Sequence, residues 1–181
     1  PALMARIVLY HGTARDVEGF DRHYALRGSE PNSALGIHLT DCPDNAAFYA
    51  ELAARDAHAG KPRVLVVEAE LSKVGIVRDA ADYLGRDPDF FDVETNRTRE
   101  EFVGRRLELK DQGFDAVATE ETELEEVSNC WAVFDPEKLR VVGEMTLAEV
   151  DAMDWISRDY TGIEFIGVRL FDPSFDEAPE P

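Results

Sequence analysis

Short apolar runs, each closed by a turn signal, set the pattern of the first third of the chain. Arg6 to Tyr10 is rich in Ile, Val and Leu and ends at His11-Gly12-Thr13, which predicts a strand running into a turn. Residues 14 to 35 mix Gly, Pro, Asn, Ser and charge, and predict loop with a short helix at Phe20 to Leu26. Gly36 to Thr40 predicts a second short strand. Asp41, followed by Pro43 and Asp44, supplies an N-cap with proline and acid in the first turn, so the Ala-rich stretch Asn45 to Ala59 predicts a helix stopped by Gly60 and Pro62.

Arg63 to Val77 opens with Val64-Leu65-Val66-Val67 and then alternates, which predicts one long strand or two short ones. Residues 78 to 95 are acidic and irregular. Asn96 to Lys110 sets Phe102, Val103 and Leu107 among charges, the pattern of an amphipathic helix, and Gly113 ends it. Phe114 to Thr119 and Cys130 to Phe134 predict two strands of a hairpin with a long, acid-rich loop from Glu120 to Glu126. Leu139 to Val142 predicts a last strand, Leu147 to Arg158 an amphipathic helix, and Phe171 to Pro181 a frayed acidic tail. The expected organisation is one domain over residues 4–170 followed by that tail at 171–181; periodicity alone supports mixed α and β.

A chain of 181 residues with 44% hydrophobic content is long and apolar enough for one core. Its net charge of −19 is uneven: residues 1–110 carry 19 acids and 15 bases, residues 111–181 carry 19 acids and 4 bases. Such a field repels phosphate backbones, so nucleic acid is disfavoured as a partner, and a basic protein surface is allowed. A merely solvated acidic surface explains the same charge. The two cysteines, Cys42 and Cys130, have neither metal-ligand nor disulfide-framework spacing, which suits a reducing compartment, and no metal is expected. Pro1-Ala2-Leu3 ahead of Met4 reads as a remnant of expression. No signal peptide or membrane span is expected, so the location is cytoplasmic, or a target cell reached without a classical signal.

His11-Gly12 at a strand end offers a ligand two things: an imidazole that can hydrogen-bond, and a backbone with no side chain blocking close approach. Thr13 adds a hydroxyl. By residue type alone a His-Gly turn is more often structural, but the downstream motifs are more specific. Gly36-Ile37-His38-Leu39-Thr40-Asp41 leads into Asn45-Ala46-Ala47-Phe48-Tyr49-Ala50 on a helix. Later come Leu109-Lys110 with Gly113-Phe114-Asp115, and then Trp131-Ala132-Val133-Phe134-Asp135-Pro136.

This order resembles the ADP-ribosyltransferase superfamily, in its His-Tyr-Glu branch of diphtheria-toxin-like and poly-ADP-ribose-polymerase-like enzymes, and is most similar to the small phage and bacterial type. The resemblance spans roughly residues 7 to 142. It implies an α+β fold of two small, mainly antiparallel sheets packed to form an NAD cleft with flanking helices. It implies that His11 bonds the nicotinamide ribose, that the Gly12 backbone grips the carboxamide, and that Thr13 supports the ribose side. Thr40 is implied as a further NAD contact, and Tyr49 as the aromatic that lines or stacks on the nicotinamide, a use of a π-face suited to a planar cation. A core position on its helix explains Tyr49 equally.

The reaction so implied breaks the bond from nicotinamide to ribose C1 through an oxocarbenium-like transition state, for which a carboxylate near the ribose is expected. The sequence departs from the family there: the position just before the aromatic residue of the closing strand, often Glu, is Cys130. Either the acid has moved, with Glu121 preferred, Glu120 next and Glu123, Glu125 and Glu126 as loop alternatives, or catalysis is weak or lost. Strand alternation groups Glu120 with Phe114, Ala116 and Ala118 and puts Glu121 on the other face. Cys130 itself reads as a small strand residue, His38 as a half-exposed strand residue or pocket wall, and His23 and His58 have no assignable partner. The implied activity is transfer of one ADP-ribose from NAD to a macromolecule, most simply a protein acceptor, by a toxin, effector or phage-borne inhibitor. The alternatives are a catalytically reduced domain that binds NAD or protein, an NAD glycohydrolase, and an RNA 2′-phosphotransferase, the last opposed by the negative charge.

Overall fold

In the first strand, β1 (Ala5–Thr13), Ile7 and Leu9 are buried while Val8 between them is 46% exposed. This is the alternation of a strand with one core face. The computed structural model describes residues 5–27, 31–57, 60–77, 99–121, 128–153 and 169–171. After β1 come 3₁₀ turns at Tyr24–Arg27 and Pro31–Leu35, then β2 (Ile37–Thr40), α1 (Pro43–Ala57), β3 (Arg63–Leu71) and β4 (Lys73–Val77). α2 (Arg99–Asp111), β5 (Ala116–Glu121), β6 (Ser128–Val133), β7 (Leu139–Thr146), α3 (Leu147–Asp151) and β8 (Arg169–Phe171) complete the described order.

The strands form one mixed sheet in the order β7-β3-β1-β2-β6-β5-β4-β8. Its pairs are antiparallel except β4 with β5 and β4 with β8. The α+β class and the mainly antiparallel pairing agree with expectation, whereas two separate sheets are not what forms. The physical reason is visible at the middle: β1 and β2 meet at one registered pair, Tyr10 opposite Thr40, while β1 pairs with β3 along all nine of its residues. One sheet therefore consists of two well-paired halves held at a narrow junction.

The far ends of the halves are joined through the chain. β3 and β4 are separated by Ser72 alone, yet stand five places apart in the strand order. In a flat sheet five spacings amount to about 24 Å, but Leu71 and Lys73 are two Cα steps apart, at most about 7.6 Å. The sheet must fold back on itself at this end. Side chains from both halves accordingly share one core: Leu9, Leu65 and Leu71 from one, Leu39, Ala118 and Trp131 from the other.

Asp115 pins that corner. Its Oδ2 accepts hydrogen bonds from Ser72 N (2.6 Å), Ser72 Oγ (2.7 Å) and Lys73 N (3.3 Å), and its own N–H donates to the Lys73 carbonyl at 2.8 Å. Burial pushes the Asp115 carboxyl up, but the Ser72 donors and the nearby Lys138 ammonium outweigh it and hold it below the ordinary aspartate value. The residue reaches this place because α2 stops abruptly: Gly113 takes φ 83° and donates to the Lys110 carbonyl, and Phe114 N–H donates to the Leu109 carbonyl. Leu109 and Phe114 are both buried in the core beneath α2.

Several sequence expectations need correction. Leu107 is 58% exposed, and Leu109, a heptad on from Phe102, takes the buried place expected of it. Phe114 does not share a face with Ala116 and Ala118: it packs with Val117 beneath α2, because the strand alternation begins only at Ala116. Asp41 does not act as the N-cap of α1; its carboxylate is drawn across to β6. The last strand runs on to Thr146, whose hydroxyl and Glu149 form a capping box that starts α3, and α3 is described only to Asp151. Residues 169–171 add an edge strand that the sequence did not announce. Residues 78–95, the loop acids Glu123, Glu125 and Glu126, His58 and positions 172–181 of the tail lie outside the described residues.

Candidate functional site

The narrow junction between β1 and β2 gathers most of the residues singled out by the sequence. β1 carries Tyr10, His11, Gly12 and Thr13; β2 carries His38 and Thr40; β6 sets Cys130 opposite Thr40 and Ala132 opposite His38. Where the ladder between β1 and β2 lapses, a side chain spans the gap. His11 Nδ1 lies 2.8 Å from the His38 carbonyl oxygen, and His11 Nε2 lies 2.8 Å from the Tyr24 hydroxyl.

These two contacts fix the imidazole chemically. A carbonyl oxygen only accepts, so Nδ1 carries the proton and donates to His38. Nε2 of the neutral ring is then an acceptor and takes the Tyr24 O–H. Burial pushes the His11 pKa down to about 4, against the favourable His38 carbonyl, so the ring is neutral near pH 7. Phe20 and Tyr24 enclose it edge-on, with ring centroids 5.4 and 5.5 Å from His11 and 4.9 Å from each other.

Gly12 is explained by a close approach. A Cβ at this position would lie 1.9 Å from the Ala46 carbonyl oxygen and 2.6 Å from Ala50 N, so α1 rests directly on the strand backbone. Because neighbouring strand residues face opposite ways, α1 with Tyr49 covers one face of β1 and the His11 ring stands on the other. Tyr49 is half-buried, its ring packed edge-on with exposed Phe48 at 5.5 Å. The structure therefore does not bring Tyr49 against the His11 imidazole.

The two threonines are buried and used locally: Thr13 Oγ1 accepts from Arg15 N and Thr40 Oγ1 accepts from Cys42 N, each at 3.1 Å. Beyond Thr40, Asp41 clasps Asn129. Its Oδ1 takes the Asn129 backbone N–H at 2.8 Å and its Oδ2 the side-chain amide at 2.7 Å. Burial raises the Asp41 pKa while the Asn129 donors oppose the rise; the buried Trp131 indole N–H adds to that opposition from outside hydrogen-bonding geometry. Asn45 Nδ2 donates to Ser128 Oγ, which ties α1 to the start of β6. At the end of β5, Glu120 stands opposite Asn129 and Glu121 opposite Ser128, so both preferred acids lie in register with this clasp.

On β2, His38 Nε2 lies 3.2 Å from the Asn32 carbonyl and must donate to it, which leaves Nδ1 as an acceptor. The Cys130 thiol meets that nitrogen at 3.6 Å. Burial lowers the His38 pKa, opposed by the Asn32 carbonyl, and the ring is neutral.

Sequence reasoning missed Tyr24, Phe20, Asn129 and the pairing of Cys130 with His38. The one available signal was the aromatic pair Phe20 and Tyr24, four residues apart in an otherwise polar loop. Among the described residues no cluster of His, Cys, Asp or Glu is arranged to hold a metal, and no helix is long and apolar enough to cross a membrane. A shallow charged depression bordered by Glu68, Glu70, Lys138 and Arg140 lies on the β3–β7 side and includes none of the junction residues.

No protein-family model matches the chain, and no curated protein matches it in sequence. Among solved structures, a chain in the crystal structure of the M. tuberculosis MbcT–MbcA toxin–antitoxin complex is similar, with a TM-score of 0.47 and 12% identity over 82% of this chain and 90% of that one.

Proposed function

We propose that the chain binds NAD at the β1–β2 junction and transfers a single ADP-ribose unit to a macromolecular acceptor, most simply a protein, releasing nicotinamide. The observation that carries this reading is the His11 imidazole, held neutral in one tautomer across the only registered contact between β1 and β2. A neutral ring with an accepting Nε2 suits a ribose hydroxyl, which would take the place of the Tyr24 hydroxyl. Gly12, Thr13 and Thr40 are the proposed further NAD contacts; Tyr49, on the α1 side of β1, is not among them. Glu121, then Glu120, are the proposed acids that stabilise charge developing at ribose C1 and orient the acceptor.

The test is incubation with labelled NAD and lysates of candidate hosts. The expected result is a labelled acceptor and released nicotinamide, both lost in His11→Ala, with nicotinamide release also lost in Glu121→Ala or Glu120→Ala. Such a protein would act as a toxin, effector or phage-borne inhibitor.

A second reading, NAD or protein binding without transfer, is favoured by one observation: the place usually held by the family's acid is Cys130, and its thiol is engaged with His38. Thermal stabilisation by NAD without nicotinamide release would decide for it. Release of free ADP-ribose without a labelled acceptor would make the protein a glycohydrolase.

A further inference from the structure

Cys130 does not stand alone. Its Sγ lies 3.6 Å from His38 Nδ1, and the far nitrogen of that ring is anchored on the Asn32 carbonyl at 3.2 Å. The anchor selects the tautomer: with the proton on Nε2, Nδ1 presents its lone pair to the thiol, so the S–H donates to the imidazole. A thiol on a histidine that a third group orients is the arrangement that activates a sulfur nucleophile. Cys130 is in no disulfide and its residue is half-buried, whereas Cys42, also in no disulfide, is 3% exposed. The proposed NAD chemistry makes no use of either group.

We infer that Cys130 is a modification site: a thiol activated by His38 that exchanges with small disulfides. In that step the Cys130 proton passes to His38 Nδ1 as the sulfur attacks one sulfur of the disulfide. The S–S bond breaks, a mixed disulfide forms on Cys130, and the departing thiolate takes the proton back from His38. The incoming disulfide is the oxidant, and the imidazole returns to its starting form. Burial keeps the His38 imidazole neutral, with no proton on Nδ1, so it can act as a general base as the sulfur attacks.

The probe is 4,4′-dithiodipyridine on the native protein, with the labelled cysteine assigned by peptide mass. Cys130 should react at least about tenfold faster than Cys42. His38→Gln keeps a side-chain N–H for the Asn32 carbonyl but removes the base, and should slow Cys130 by about tenfold or more at pH 7. The pH profile separates activation from access. For a model thiol, or for Cys130 in His38→Gln, the rate should fall about tenfold per unit below the ordinary thiol pKa of about 8.5, while wild-type Cys130 should fall less steeply. A wild-type slope equal to that of the model thiol overturns the inference, and needs no variant to fold. Equal Cys130 rates in wild type and in a His38→Gln protein of unchanged circular dichroism overturn it too.

Discussion

His11 Nδ1 donates to the carbonyl oxygen of His38 at 2.8 Å, so a side chain on β1 holds β2 where their backbone ladder provides one registered pair. The His11 ring should titrate with a midpoint near 4 in the folded protein, against about 6.5 unfolded, as followed by imidazole NMR. The folded state then binds fewer protons than the unfolded chain between those values. The His11 contribution to stability should fall as pH drops from about 6.5 toward 4 and be constant above 7. His11→Gln should remove that part of the slope in denaturant melts taken across the range. NAD affinity, read by calorimetry, should show no inflection between about pH 6 and 8.

Gly12→Ala places a Cβ 1.9 Å from the Ala46 carbonyl oxygen, and its three nearest neighbours are all α1 backbone atoms, so no flexible side chain can yield. Helix α1 would have to lift from β1 along with Asn45, its tie to Ser128. A loss of about 3 kcal/mol or more is expected, at the high end for a small-to-large change. Thermal melts should show a fall of about 6–12 °C or outright failure to fold.

Asp115→Ala should cost about 2 kcal/mol by leaving the Ser72 and Lys73 donors at the β3–β4 corner without their acceptor. That corresponds to a drop of about 4–8 °C in Tm for a chain of this size. The Asp115 carboxyl is held below the ordinary aspartate value. Its contribution is therefore complete above about pH 4 and is lost as pH falls through the lower folded value. The wild-type and Asp115→Ala stability curves should converge in acid, and failure to converge would remove the carboxylate from this role.

Local pattern made the strands and helices legible except β8, while the junction was legible only in its parts. Alternation in Ile7, Val8 and Leu9, the glycine stop at Gly113 and the hairpin of β5 with β6 each follow from neighbours within a few residues. The separation of β3 from β4 does not: Ser72 looks like an ordinary strand residue, and its partner Asp115 is 43 residues away. Asp41 shows the same limit. By sequence it has the features of an N-cap, but the Asn129 N–H and amide, 88 residues on, compete for its carboxylate and win. Tyr24 was hidden because its role is set by one hydroxyl reaching His11 from a 3₁₀ turn, while its spacing from Phe20 points only to a short helix and names no partner for the ring.

Tyr24→Phe separates the hydroxyl from the ring. Phenylalanine keeps the edge-on packing with Phe20 and His11 but withdraws the donor from His11 Nε2. The protein should lose about 1 kcal/mol of stability for that bond, a fall of about 2–4 °C in Tm. Binding should move the other way. If a ribose hydroxyl of NAD takes Nε2, it must first displace Tyr24, and the variant no longer offers that competitor. NAD affinity should then rise about fivefold, the binding equivalent of about 1 kcal/mol. His11→Ala in the same assay should abolish the gain. A Tyr24→Phe variant that melts lower but binds NAD more weakly than wild type would show instead that the tyrosine hydroxyl is itself a contact, with the ligand sitting on Tyr24 rather than replacing it.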